Sequence, residues 1–135
     1  MSITAAALRA AALSMPGTYE DYPFGPETAV FKVKAPSSGG SERPGKVFAL
    51  GNLESSPMSI SLKCDPELAP ALRSANPGIT GGYHLNKRHW NTVDTAQVAS
   101  EMVLEMLEDS YDLVVAGLPK KQQEALEWSA YVAKS

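Results

Sequence analysis

The segment Gly81-Gly82-Tyr83-His84-Leu85-Asn86-Lys87-Arg88-His89-Trp90-Asn91-Thr92-Val93 holds both histidines of the chain, a tyrosine, a tryptophan and two adjacent cations. Lys87, Arg88 and His89 are suited to phosphate, and so is Lys63, on an expected strand upstream. Tyr83 and Trp90 offer rings that either stack on bases or pack beneath the cations. The competing reading makes Tyr83 and Trp90 half-buried sheet residues and leaves Lys87 and Arg88 to solvate a turn. Nothing in the segment pairs a nucleophile with a base or forms a phosphate-cradling glycine loop. His84 and His89 would need a borrowed carboxylate or Cys64 to complete a metal site. Ser110-Tyr111 reads as a helix boundary followed by a core-facing aromatic. No residue is therefore assigned a catalytic or metal role, no cofactor is implied, and the chain is expected not to be an enzyme.

Charge limits the partners. Fifteen Asp and Glu against twelve Lys and Arg give a formal net charge of -3, and the pI is near 5.3. Nonspecific nucleic-acid affinity comes from cations that neutralise phosphates, so any such contact requires a local basic patch with the acidic charge on another face. The run Glu101, Glu105, Glu108, Asp109 and Asp112 marks a solvated helical face that repels DNA. Phosphate contact is thus expected from the sheet and hairpin side, with Lys120-Lys121 peripheral.

At 135 residues the chain has the length of one domain, with a mean hydropathy of -0.17 in the ordinary globular range. A single cysteine cannot form an intramolecular disulfide. The opening residues lack a signal-peptide pattern, so the cytoplasm is the expected compartment. No apolar run approaches the ~18 residues of a membrane span, and no membrane role is expected.

The elements that must position these residues follow from periodicity. Thr4 caps a helix through Leu13, with Leu8, Ala12 and Leu13 as its apolar stripe, and Met15-Pro16-Gly17 ends it. Tyr22-Pro23-Phe24-Gly25-Pro26 reads as a turn-rich connection, with Phe24 plugging the core. Strands are predicted over Thr28 to Lys34, Lys46 to Gly51 and Met58 to Cys64, joined as an antiparallel meander, with residues 35–45 as a mobile loop. Alternation in the third strand turns Met58, Ile60, Leu62 and Cys64 to the core and Lys63 to the opposite face.

Asp65-Pro66-Glu67 signals a helix start, with Pro70 disturbing the first turn and Asn76-Pro77-Gly78 ending the helix. A hairpin pairs Tyr83 to Asn86 with Trp90 to Val93 around Lys87-Arg88-His89. Asp94-Thr95-Ala96-Gln97 reads as a capping box opening a helix with Val98, Met102, Val103, Met106 and Leu107 on one stripe. Residues 110–117 either extend that helix or begin another after a kink. A last helix is predicted from Lys120 to about Val132, with Ala125, Trp128 and Val132 on one side. The order implies a single α+β domain: helix, three strands, helix, two strands, helices, with an antiparallel sheet covered on one side and open on the other.

Read in order, Met15-Pro16-Gly17, Pro23-Phe24-Gly25, Val30-Phe31-Lys32-Val33, Gly45-Lys46-Val47-Phe48-Ala49-Leu50, Leu62-Lys63-Cys64-Asp65-Pro66-Glu67, Gly82 to Asn91 and Ser110-Tyr111-Asp112-Leu113-Val114 resemble the MmcQ/YjbR family over roughly residues 13 to 121. The resemblance implies a fold similar to secretion chaperones and a customary label of DNA-binding protein. Matching positions are Lys63, Tyr83, Lys87 and Trp90, and the family supplies no catalytic residues to carry over. The long loop between the first two predicted strands departs from the family's tighter turn. The functional expectation is DNA binding through Lys63, Tyr83, Lys87, Arg88, His89 and Trp90. The alternative is a protein-interaction or chaperone-like module, including self-association, on the same sheet face.

Overall fold

The computed structural model describes residues 2–35, 45–82 and 85–126. The expectations for the 35–45 loop, for Tyr83 and His84, and for Trp128 and Val132 fall largely or wholly outside them. Helix α1 (Ala5–Ser14) leads into strands β1 (Thr18–Asp21), β2 (Ala29–Val33), β3 (Lys46–Gly51) and β4 (Ser59–Lys63). Helix α2 (Ala69–Ala75), strands β5 (Ile79–Gly81) and β6 (Trp90–Asp94), and helices α3 (Ser100–Ala116) and α4 (Lys120–Ala125) complete the order. The six strands form one antiparallel sheet in the order β1-β2-β3-β4-β6-β5. No helix among the described residues is long and apolar enough to cross a membrane.

The predicted α+β architecture holds with one added strand. β1 has no apolar alternation; charges secure it instead. On the core side Arg9 of α1 meets Glu20 at 3.0 Å, and on the other side Lys32 meets Asp21 at 2.8 Å. Gly17, at φ 74, makes the turn into this strand, where an added Cβ would sit 2.3 Å from Leu126 and 2.7 Å from the Lys34 carbonyl. Thr4 caps α1 as expected, its hydroxyl accepting from the Ala7 N–H at 3.1 Å. Leu8 and Ala12 are buried, but Leu13 is 40% exposed, because five residues from Leu8 carries a side chain off the buried stripe. Phe24 is likewise corrected. It is 73% exposed, at the tip of a turn closed by the Gly25 N–H on the Tyr22 carbonyl.

The core lies between one sheet face and the helices. Phe31, Phe48, Ile60, Leu62 and Val93 from the sheet pack with Val103, Leu107, Tyr111 and Val115 of α3, and with Leu8 of α1. Burial of these side chains removes about 1.5–3 kcal/mol of apolar exposure each. α3 runs unbroken through Ser110, so that residue is mid-helix and not at a boundary. A bulge shifts the β2–β3 register at Phe31/Lys32, and only Ala49 and Leu50 of β3 are in register with β4. Ser110 fills the resulting gap. Its hydroxyl donates to the Phe48 carbonyl and accepts the Lys63 N–H at 2.8 Å. Tyr111 is the expected core aromatic, edge-on to Phe48 with centroids 5.5 Å apart, and its hydroxyl donates to the Pro16 carbonyl at 2.6 Å.

Two helix starts differ from the sequence reading for the same reason, an acceptor side chain used in a turn. The Asp65 carboxylate accepts the Glu67 N–H at 2.8 Å, yet regular helix begins only at Ala69, Pro70 having no N–H to contribute. Asp94 ends β6, and its carboxylate accepts the Ala96 N–H and the Gln97 side-chain amide, closing a turn ahead of α3, which opens only at Ser100. Asn91 is fully buried, and among the described residues neither its Oδ1 nor its Nδ2 has a hydrogen-bond partner.

Candidate functional site

The β4–β6 ladder places Lys63 directly opposite Trp90, Ser61 opposite Thr92 and Ser59 opposite Asp94. Ile60 and Leu62 enter the core, so Lys63 lies on the sheet face away from α3, as the alternation predicts. On that face the Ser61 and Thr92 hydroxyls share a hydrogen bond of 2.8 Å, and Thr80 of β5 adjoins Thr92. The surface around the Lys63–Trp90 pair is thus lined with hydroxyls. Trp90 is half-buried on this sheet.

The predicted hairpin is present at its second strand and displaced at its first. β5 is Ile79–Gly81, four residues ahead of the expected Tyr83 to Asn86 strand, with Ile79 opposite Val93 and Gly81 opposite Asn91. Core burial of Ile79 sets this register, since a slip by an odd number of residues would turn it to solvent. The loop then closes on Asn86. Its carbonyl accepts the N–H groups of His89 and Trp90 at 3.2 and 3.0 Å, while its side chain accepts the Arg88 N–H at 2.8 Å. The His89 carbonyl accepts the Cys64 N–H at 2.7 Å, tying the loop to the end of β4.

Lys87 and Arg88 are exposed on this loop, and His89 is half-buried. Arg73, in the last turn of α2, joins them. Its Nη2 donates to the Lys87 carbonyl at 2.7 Å and its Nε to the Ala69 carbonyl at 3.3 Å, while Lys87 Nζ donates to the Gly82 carbonyl at 3.3 Å. Both side chains converge over Gly81, where an added Cβ would lie 2.9 Å from Arg73 Nη1 and 3.1 Å from Lys87 Cγ. Sequence reasoning missed Arg73. Its only signal was a basic residue near a helix C-terminus, which the helix dipole alone accounts for.

Among the described residues the ion pairs are Arg9 with Glu20 and Lys32 with Asp21, both far from this corner along the sheet. Lys63, Arg73, Lys87 and Arg88 thus form a basic corner in which the hydrogen-bonded cations are held by carbonyls and not by carboxylates. The acidic run is exposed along α3, on the helical side of the sheet, and its Asp109 and Asp112 line a groove that Lys63 also borders. Cys64 sits at the seam between the two regions. Burial pushes its thiol up, Asp65 and Asp109 add to the rise, and Arg73 opposes it. The thiol is therefore neutral and weakly nucleophilic.

The sequence profile of the YjbR family matches residues 13–113. The uncharacterized protein YbdF of Escherichia coli O157:H7 is 37% identical over 114 residues, covering 84% of this chain and 85% of that protein. The uncharacterized protein YjbR of Escherichia coli K12 is 33% identical over 69 residues, 50% of this chain and 58% of the relative. A crystal structure of protein DR2400 of Deinococcus radiodurans superposes with a TM-score of 0.81 at 38% identity, covering 92% of this chain and 88% of that one. A crystal structure from Pseudomonas syringae superposes at 0.56 with 30% identity, over 72% of this chain and 86% of that one.

Proposed function

The chain belongs to the YjbR family, and from that premise we propose that it binds DNA without catalysis, through the basic corner and the hydroxyl-lined sheet face. The observation that carries this reading is the convergence of Arg73 and Lys87 over Gly81, beside Arg88 and with Lys63 across from Trp90, none of the four ion-paired to a carboxylate among the described residues. Cations neutralised only by solvent ions release those ions when phosphate replaces them, which is the main source of nucleic-acid affinity. The half-buried Trp90 beside Lys63 supplies a stacking surface, and Ser59 and Thr80 supply hydroxyl donors for phosphate or sugar. His89 is peripheral, its backbone carbonyl already engaged by Cys64. The net charge of -3 is compatible with this role because the acidic run sits on α3, on the helical side of the sheet, with its Asp109 and Asp112 near Lys63 and not near the Arg73–Lys87 pair over Gly81. A protein-interaction or self-association role on this face draws less support, since it is lined by hydroxyls and cations and not by an apolar patch.

The test is fluorescence anisotropy with labelled duplex and single-stranded DNA at low and physiological salt. Wild type is compared with Lys87→Ala/Arg88→Ala and with Arg73→Ala. Four phosphate contacts give a log–log salt slope of about -3.6 on duplex, and the double variant brings it to about -1.8. Absence of binding at low salt overturns the reading and turns the search to protein partners, including self-association. Binding with an unchanged slope in both variants moves the site elsewhere.

A further inference from the structure

Resting on the DNA reading, we propose that the corner prefers single-stranded DNA to duplex, stacking an unpaired base on Trp90 between phosphates held at Lys63 and at Lys87. β6 lies between β4 and β5 in the sheet. On one side Trp90 is opposite Lys63, and on the other its carbonyl accepts the Gly82 N–H at 2.9 Å. Lys87 Nζ rests on the Gly82 carbonyl at 3.3 Å, and its side chain meets Arg73 over Gly81 at the β5 edge. The half-buried tryptophan is thus flanked by cations across two strand spacings, about 10 Å. Lys63 also borders the groove that holds Asp109 and Asp112, so Lys87 and Arg73 make the stronger phosphate contact.

Access to the faces of the bases separates the two forms of DNA. Asn91 and Val93 are buried in the core, so alternation along β6 turns Trp90 to the open sheet face with Thr80 and Thr92. A side chain set in a sheet meets the face of a base only where that base is unpaired. Within a duplex each base is covered above and below and shows only its groove edges. Reading those edges takes a helix or a two-stranded ribbon that enters a groove. β5 has three residues and α2 seven, and the 86–90 loop is folded back on the Asn86 carbonyl. Among the described residues no element at this corner projects far enough, so duplex contact is limited to phosphate. α3 has the length but carries the acidic run.

The test is fluorescence anisotropy of the full chain with labelled probes of equal length: oligothymidylate, the same oligomer with abasic sites in place of its bases, and the thymidylate–adenylate duplex. Oligothymidylate is expected to bind about tenfold or more tighter than either of the others, because only it offers a free base to Trp90. For four phosphate contacts its log–log salt slope is about -2.8 against about -3.6 for duplex, so the preference widens about sixfold for each tenfold rise in salt. Trp90→Phe keeps the preference and Trp90→Ala reduces it below about threefold, with thermal denaturation as the check that each folds. The abasic probe makes the same distinction on wild type. Abasic or duplex DNA bound as tightly as oligothymidylate, or a full preference in folded Trp90→Ala, overturns the proposal and leaves the DNA reading standing. Absence of binding to every probe overturns both.

Discussion

Replacing Ser110 by alanine tests whether one hydroxyl holds the bulged sheet together beneath α3. Ser110 is fully buried, and its Oγ both accepts the Lys63 N–H and donates to the Phe48 carbonyl. The substitution removes one oxygen and leaves no cavity of consequence, so the cost is almost entirely polar. Two hydrogen bonds contribute about 1 kcal/mol each, and stranding the Phe48 carbonyl adds about another, for a loss of about 2–3 kcal/mol. With an unfolding entropy near 2.1 cal/mol/K per residue, a chain of 135 residues loses about 3.5 °C in Tm per kcal/mol, or about 7–11 °C here. Urea denaturation followed by far-ultraviolet circular dichroism measures the change directly, with an unchanged m-value showing that the unfolded reference is the same. A loss below about 0.5 kcal/mol would refute the bridging role. It would mean that water or a shift of α3 satisfies both backbone groups at little cost.

Three other perturbations probe separate parts of the structure. Burial pushes the Tyr111 phenol up to about 12 from its ordinary value of 10. The unfolded chain therefore loses this proton first, and stability falls between about pH 10 and 12 by about 1.4 kcal/mol per pH unit. Tyr111→Phe should remove that component of the slope in alkaline urea melts, and identical slopes for the two proteins would contradict it. Phe24→Ser should change stability by less than about 0.5 kcal/mol, because the ring is already in water; a loss above 2 kcal/mol would restore the core-plug reading. Asn91→Leu should stabilise the fold by about 1 kcal/mol, since a similarly sized hydrocarbon replaces a buried amide with no partner among the described residues. Destabilisation by 1 kcal/mol or more would show that the amide is satisfied in solution.

The division between what was legible in sequence and what was not follows the range of the interactions. Local signals were read correctly where side chain and backbone lie within a turn of each other: the Thr4 cap, the Met58-to-Cys64 alternation that turns Lys63 away from the core, and the breaks at Pro16 and Asn76. The same local signals misplaced the openings of α2 and α3, because an aspartate that accepts nearby amides closes a turn as readily as it caps a helix. Strand β1 was invisible, since its pairing rests on Arg9 and Lys32, eleven residues away on either side, and not on apolar periodicity. The sequence alone was enough to determine the α+β class, the cationic character of the 87–88 loop and the family resemblance. Only the tertiary structure brought Arg73 onto Lys87 over Gly81, set β5 four residues earlier through the burial of Ile79, and exposed Phe24. Each of those outcomes depends on which distant backbone group or core space a side chain meets, and that information exists only once the sheet has formed.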